Sequence, residues 1–300
     1  MSTHARGKAR AKDDLGTAIW FMLPNILGFL LFTLIPVAVS LVMSFYDWPL
    51  TGERAFVGLQ NFAKLLTKDV LFAKVARNTL YYVCFYVIFN VFVALGLAVW
   101  LSNCRRFTSL FRSVFFLPQM IMIVSSTMIF KMLLQPEYGL INTVLAWLGI
   151  SGANWLGSSR TALNTVIFIS IWQGFGYNMI IFISGLLGVP QHLKEAARID
   201  GCGAIRTFIN VTLPMMSPSI FFAVVMTIIS SFQVFDQTFV TTQGGPANAT
   251  NTVVLYLYNN AFMYNRLGYA SAIAWLLFAV ISVITMVQMA LQRSWVSYDA

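Results

Sequence analysis

The sequence predicts an all-α membrane protein of about six transmembrane helices. Three observations carry that reading. Hydrophobic residues make up 58% of the 300 residues and charged residues only 10%, where a soluble domain carries about 25% charge. Mean hydropathy is +0.75. No Asp, Glu, Lys or Arg falls between Asp14 and Asp47, Arg77 and Arg105, Arg112 and Lys131, Arg160 and Lys194, Arg206 and Asp236, or Arg266 and Arg293. A spanning helix needs about 20 apolar residues at about 1.5 Å each. The runs are continuous and too long for the short alternating strands of a barrel.

The elements follow in order. Residues 1–16 read as a basic cytoplasmic tail and 17–44 as the first span, kinked by Pro24 and Pro36. Its apolar run is longer than a cleaved signal's, so it reads as an uncleaved signal anchor. Residues 45–77 form an external loop. Within it Leu59, Phe62, Leu65, Leu66, Val70 and Phe72 suggest one or two short amphipathic helices, which would pack on the membrane surface or support a docking partner. The second span covers 78–102 and the third 113–134, where the window is only just long enough and Lys131 would snorkel at one end. Residues 140–160 are external, with Trp147 and Trp155 at interface depth. Spans four, five and six cover 162–188, 215–238 and 268–291, and 292–300 form a short cytoplasmic tail. The window between Asp236 and Arg266 does not span, because Thr-Thr-Gln-Gly-Gly-Pro-Ala-Asn opens it. No internal repeat or low-complexity segment stands out.

The net charge of +9 is explained by topology rather than by nucleic acid. With the N-terminus cytoplasmic, the dense clusters at Arg6, Lys8, Arg10 and Lys12, at Arg105, Arg106 and Arg112, and at Lys194, Arg198 and Arg206 all lie inside. Cys84 falls within a helix, and Cys104 and Cys202 fall on the inferred cytoplasmic side, so neither a disulfide nor a metal site is suggested. His4 and His192 sit in the tail and a loop, away from any nucleophile-and-acid set. The Gly7-Lys8 pair lacks the upstream glycine and following Ser or Thr of a phosphate loop. The chain therefore reads as a non-enzyme.

The most distinctive stretch is the charged, glycine-punctuated island from Pro190 to Pro214, between spans four and five. Pro190 fits the first turn of a helix over 191–200, where Leu193, Ala196, Ala197 and Asp200 fall on one face. Gly201 and Gly203 interrupt it, glycine being the natural positive-φ exit, and a second short helix runs from Ala204 to about Val211.

Here the chain resembles the permease subunits of ATP-binding-cassette importers. Their loop motif is Glu-Ala-Ala, three residues, Gly, nine residues, then Ile-x-Leu-Pro. This sequence has Glu195-Ala196-Ala197, Gly201, and Val211-Thr212-Leu213-Pro214, with Val for Ile as a mild departure. Trp172 and Gly174, Ile199-Asp200-Gly201 and Gly244-Gly245-Pro246 resemble the carbohydrate-type branch, which often has Ala at the position of Cys202. The resemblance implies a type I importer permease fold over 17–291 in a bacterial inner membrane. It implies a second homologous permease, two cytoplasmic ATP-binding subunits carrying ATP and Mg, and an extracytoplasmic solute-binding protein as partners. Glu195, Ala196, Ala197, Asp200 and Gly201 would couple to the ATPase.

A sugar pathway needs hydrogen-bonding groups and aromatic faces. Trp172, Gln173, Tyr177 and Asn178 in span four and Phe232, Gln233, Asp236 and Gln237 in span five supply both, and are the pathway candidates. Inter-helix hydrogen bonding is the other reading of polar groups at such depth. The Thr242–Pro246 loop would be an external gate, a contact for the binding protein, or a plain connector. An ion-coupled secondary transporter or channel is the alternative function, and it leaves the island unexplained. A membrane enzyme or assembly factor is a weaker alternative, because no catalytic constellation is visible.

Overall fold

The computed structural model describes residues 19–104 and 106–295. The basic tail expected over 1–16, Arg105 of the second basic cluster, and 296–300 lie outside the described residues. Among the described residues, four helices are long and apolar enough to cross a membrane: α1 (Ile19–Ser44), α3 (Val70–Asn103), α7 (Ala162–Gly188) and α13 (Leu267–Trp295). Two further spans are bent pairs. In the first, α4 (Thr108–Met120) meets α5 (Ile123–Leu133) at 93°. In the second, α9 (Ala204–Met215) meets α10 (Ser217–Phe232) at 68°. Counting each pair as one gives the six spans expected.

The remaining elements are short. A two-residue hairpin pairs β1 (Tyr46–Asp47) with β2 (Ala55–Phe56). The helices α2 (Gln60–Thr67), α6 (Leu140–Trp147), α11 (Asp236–Thr242) and α12 (Val253–Tyr258) gather at one end of the bundle, the loop-rich end. Opposite lies the island, where α8 (Gln191–Ile199) precedes α9.

Several boundaries differ from expectation. The second span starts at Val70, not 78, because Asp69 caps it: Phe72 N–H donates to Asp69 Oδ1 at 2.9 Å. Lys74 and Arg77 thus ride on a helix rather than in a loop. The third span is broken. Pro118 lacks the N–H that would continue the ladder, and the helix ends two residues later in an extended Ile121-Met122 step. The pair still crosses: Phe111 and Phe115 pack on Trp100 at 5.4 and 6.2 Å near the island end, and Lys131 Nζ reaches the Val240 carbonyl at 3.4 Å near the other. The fifth span ends at Phe232, and a nonhelical Gln233–Phe235 step separates it from α11. The sixth runs past 291 to Trp295.

Two of the prolines, Pro36 and Pro214, leave a mark on their helices. A π turn over Leu30–Leu34 ends two residues before Pro36, and another over Phe208–Thr212 ends two before Pro214. Widening the preceding turn relieves the clash of the proline ring with the carbonyl four residues back. Pro24 sits in α1 without a break.

The centre of the bundle is α7, which packs along α3, α4 and α10. Near the island end Ala94, Ala98 and Leu101 of α3, Met179 and Phe182 of α7 and Met216 form a fully enclosed apolar core. By contrast, the α1 segment before Ser44 has no buried residue and leans on α13, where Trp275 Nε1 donates to Ser40 Oγ at 3.2 Å.

At the loop-rich end Asp69 ties three elements together. Besides capping α3 it accepts from Tyr256 Oη of α12 at 2.6 Å and Tyr269 Oη of α13 at 2.5 Å, over the apolar cluster of Leu65, Val75, Val253 and Ile273. Burial raises its pKa, but the hydroxyls of Tyr256 and Tyr269 and the backbone N–H groups of Phe72 and Leu71 outweigh it, and the carboxyl is held below its usual 3.8. Burial, and then the Asp69 contact, push the Tyr256 phenol up to about 12. A depressed carboxylate stabilises the fold above its unfolded pKa and loses that contribution as pH falls through the folded value. Asp69→Ala should therefore lower stability at neutral pH by about 1–2 kcal/mol, the low end for bonds to a charge because water screens part of it. Thermal unfolding in detergent across pH checks this: the wild-type advantage should shrink below about pH 4.

Candidate functional site

Between the spans, towards the loop-rich end, lies a polar cavity of about 300 Å³. Tyr82 and Tyr86 of α3 form one wall, their rings stacked with centroids 5.5 Å apart. Ser170, Gln173 and Gly174 of α7 form a second, and Gln119 and Ile123 from the broken third span a third. The step from Ser230 through Gln237 closes the fourth side, with Gln233 and Asp236 lining it. Asp236 sits in the first turn of α11, where a negative charge suits the helix dipole. Gly174 lets the Tyr86 ring lie close to α7, since a Cβ there would push Tyr86 Oη aside.

The breaks that create the cavity are hydrogen-bonded from inside. Gln173 Nε2 donates to the Ile121 carbonyl at 3.1 Å, and its Oε1 accepts from Ser126 Oγ at 3.1 Å. One buried amide thus clamps the interrupted third span to α7. Where α10 ends, the Thr252 hydroxyl donates to the Val234 carbonyl at 3.0 Å.

Of the span-four and span-five candidates, the cavity gathers Gln173, Gln233, Asp236 and Gln237. It does not gather the other four. Trp172 faces away and packs edge-on against Phe130 at 4.9 Å. Asn178 is buried and donates to Asn90 Oδ1 at 2.6 Å and Thr227 Oγ1 at 2.8 Å, which makes it a joint between α3, α7 and α10. Phe232 is buried in packing. Tyr177 shares the Gln173 stripe one turn further toward the island but is exposed beyond the cavity. The physical reason is the helical period: neighbours in sequence point about 100° apart, so a four-residue polar cluster cannot face one cavity. Tyr82, Tyr86, Ser170 and Gln119 were missed, although Asn78, Tyr82, Tyr86 and Asn90 repeat every fourth residue, a readable polar stripe in an apolar run.

The Thr242–Pro246 loop is tied down. Thr250 Oγ1 donates to the Gly245 carbonyl at 2.8 Å and meets Thr242 Oγ1 at 2.5 Å. Asn78 Nδ2 of α3 donates to the carbonyls of Asn248 and Asn251 at 2.8 and 3.1 Å. The segment is an ordered cover over the α3 start.

The island is a bent pair of helices, as its glycines suggest. Pro190 occupies the cap position just before α8 rather than its first turn. At the other end Cys202 N–H donates to the Ala197 carbonyl at 2.9 Å and Gly201 N–H to the Arg198 carbonyl at 3.1 Å. This double bond pattern is a Schellman motif, which needs a left-handed residue, and Gly201 has φ +77°. Gly203 has ordinary extended φ and simply precedes α9. The expected common face splits: Ala197 is buried and Leu193 half-buried, while Ala196, Glu195 and Asp200 are exposed. Ala196 is one residue, about 100°, away from Ala197, which turns it outward. Two apolar side chains, Ile199 and Ile205, stand 87% and 78% exposed on either side of the turn. The second helix does not stop near Val211 but continues through the π turn to Met215.

Residues 70–298 match the family described as the binding-protein-dependent transport system inner membrane component. The chain belongs to that family. It is a multi-pass membrane transport subunit. The probable ABC transporter permease protein YesP of Bacillus subtilis (strain 168) is 35% identical over 98% of this chain and 96% of its own length. The arabinooligosaccharides transport system permease protein AraP of the same organism is 34% identical over 91% and 88%. The multiple sugar-binding transport system permease protein MsmF of Streptococcus mutans is 33% identical over 91% and 94%. In fold, the chain superposes with TM-score 0.85 on a chain from a bacterial ABC transporter involved in alginate import, covering 97% of this chain and 99% of that one at 22% identity. The fold is that of an ABC importer permease.

Cavity residues and joint residues should separate in experiment. Gln233→Ala and Asp236→Asn should lower uptake at least several-fold while leaving the thermal midpoint within a degree or two. Asn178→Leu should instead cost about 1–3 kcal/mol of stability, because it leaves Asn90 and Thr227 without their buried partner. Parallel uptake and unfolding measurements on the three variants check the division.

Proposed function

We propose that this chain forms half of the translocation pathway of an ATP-driven carbohydrate importer. A second, related permease forms the other half. Two cytoplasmic ATPase subunits, which bind ATP and Mg, dock on the island, and an extracytoplasmic solute-binding protein delivers sugar at the loop-rich end. This places the island and the N-terminus in the cytoplasm, in accord with the basic residues Lys194, Arg198 and Arg206 on the island.

The observation that carries the reading is how the island connects to the cavity. α8 follows directly from the end of α7, and α9 leads through the 68° bend at the buried Met216 into α10. The far stretches of α7 and α10 supply Ser170, Gln173, Ser230 and Ser231 to the cavity walls. A push on the island is therefore delivered by two helices to two of the cavity walls. Repeated over the two permeases, that motion opens the pathway alternately to each side.

On the island, Glu195, Ala196, Asp200, Ile199 and Ile205 face solvent and form the docking surface. Ala197 seats α8, and Gly201 sets the bend. The apolar Ile199 and Ile205 supply contact area, and the charges supply orientation. The cavity chemistry suits a polyhydroxylated ligand: phenol, hydroxyl and amide groups pair with sugar hydroxyls, and the Tyr82 and Tyr86 rings offer faces to apolar C–H surfaces. Relatives named for arabinooligosaccharides and multiple sugars support the carbohydrate class.

Beyond the adjoining residues nothing lies within 4 Å of the place a Gly201 Cβ would take, so a substitution there acts through the backbone. Left-handed φ costs an ordinary residue about 1–2 kcal/mol, and Asn tolerates it best. Gly201→Val should abolish ATP-dependent uptake in proteoliposomes containing the assembled transporter, and Gly201→Asn should retain most of it. Wild-type uptake by the normally assembled Val variant would contradict the coupling role.

A further inference from the structure

The side of α3 and α7 turned away from the cavity carries a second pocket. At the loop-rich end it opens to about 480 Å³, with Lys74 and Arg77 contributed by α3 and Arg160 by the segment just before α7. No Asp or Glu lines it. Lys74 Nζ donates to the Ala247 carbonyl at 2.7 Å, and Tyr81 Oη donates to Asn164 Oδ1 at 2.9 Å across the floor. Arg77 and Arg160 are exposed.

Depth and direction identify its surroundings. Arg77 and Arg160 are each the last charged residue before a charge-free window, so both stand at the boundary between headgroups and hydrocarbon. At about 100° per residue, Arg77 lies opposite Tyr86 on α3, and Asn164 lies opposite Gln173 on α7. Arg77 and Asn164 of the pocket therefore point away from the translocation cavity. Directly beneath it an exposed apolar stripe runs down α3 through Tyr81, Phe85, Ile88 and Phe92, with Tyr81 and Phe85 rings 4.4 Å apart.

We propose that this is a binding site for an anionic phospholipid in the leaflet at the loop-rich end. Its phosphate sits among Lys74, Arg77 and Arg160, and one acyl chain lies along the α3 stripe. Guanidinium groups match phosphate oxygens with paired hydrogen bonds, and a cation trio without a carboxylate is relieved by a negative ligand. The apolar stripe decides for lipid over a soluble anion, since a free phosphate or an acidic sugar has no use for it. Tyr81 marks the interface level, as tyrosines do at membrane boundaries.

The test uses the full-length protein in nanodiscs of mixed phosphatidylglycerol and phosphatidylcholine, reading the lipid ratio retained after mild detergent extraction. The wild type should retain phosphatidylglycerol in excess. R77Q/R160Q should lose that excess by about fivefold per cation removed. K64Q/K68Q, at a separate basic patch of the same end, should not change it. R160Q alone, in an exposed loop, gives the single-site value should the double variant elute abnormally. No excess in the wild type, or an undiminished excess in R160Q or the double variant, overturns the proposal. So does displacement of the retained lipid by millimolar inorganic phosphate, which would assign the pocket to a soluble anion.

Discussion

A backbone carbonyl exposed inside the membrane must find its donor within the protein, and this constraint shapes the molecule. Water is absent from hydrocarbon, and an unpaired peptide group there costs several kcal/mol. An unbroken helix meets the requirement by itself but makes no cavity. The third and fifth spans are broken, and each break is repaired by another segment. Gln173 answers the Ile121 carbonyl, and Thr252 answers Val234. The breaks lie beside the cavity: Gln119 and Ile123 flank the first and line its wall, and Gln233, Asp236 and Gln237 at the second line another. The cavity and its repair are one arrangement.

That arrangement explains why α7 lies at the centre. It carries the amide that closes the third span, the glycine that admits Tyr86 and the asparagine that joins α3 to α10. It also ends at the island. The enclosed core of Met179, Phe182 and Met216 makes the connection stiff at the island end, because close-packed interiors transmit displacement rather than absorb it. At the other end, Asp69 and its two tyrosines hold α3, α12 and α13 together. Between two fixed ends, the region free to change is the one with interrupted helices.

Much of this was legible in the residues, and the rest was hidden for definite reasons. The six spans follow from charge-free windows, and the bend at Gly201 follows from a glycine flanked by helix-forming residues. The break at Ile121-Met122 was not legible. Its two residues are apolar, and Pro118 alone does not distinguish a kink from a right-angle turn. What permits the turn is Gln173, 52 residues away in sequence. The division of the candidates was hidden for a related reason. Asn178 and Gln173 are both amides in one span, and only the neighbours Asn90, Thr227 and Ile121 assign one to a joint and the other to a wall. The exposure of Ile199 and Ile205 was not legible either, because an isoleucine in a short amphipathic helix is ordinarily buried, and here the burial falls on Ala197.

The central claim is that transport is powered through the island by a separate ATPase. The direct measurement is solute uptake by the complete transporter in proteoliposomes, with ATP supplied on the island side and ion gradients set independently. Uptake should require ATP there and persist when ionophores collapse every gradient. Uptake that follows an ion gradient and continues without ATP would contradict the account.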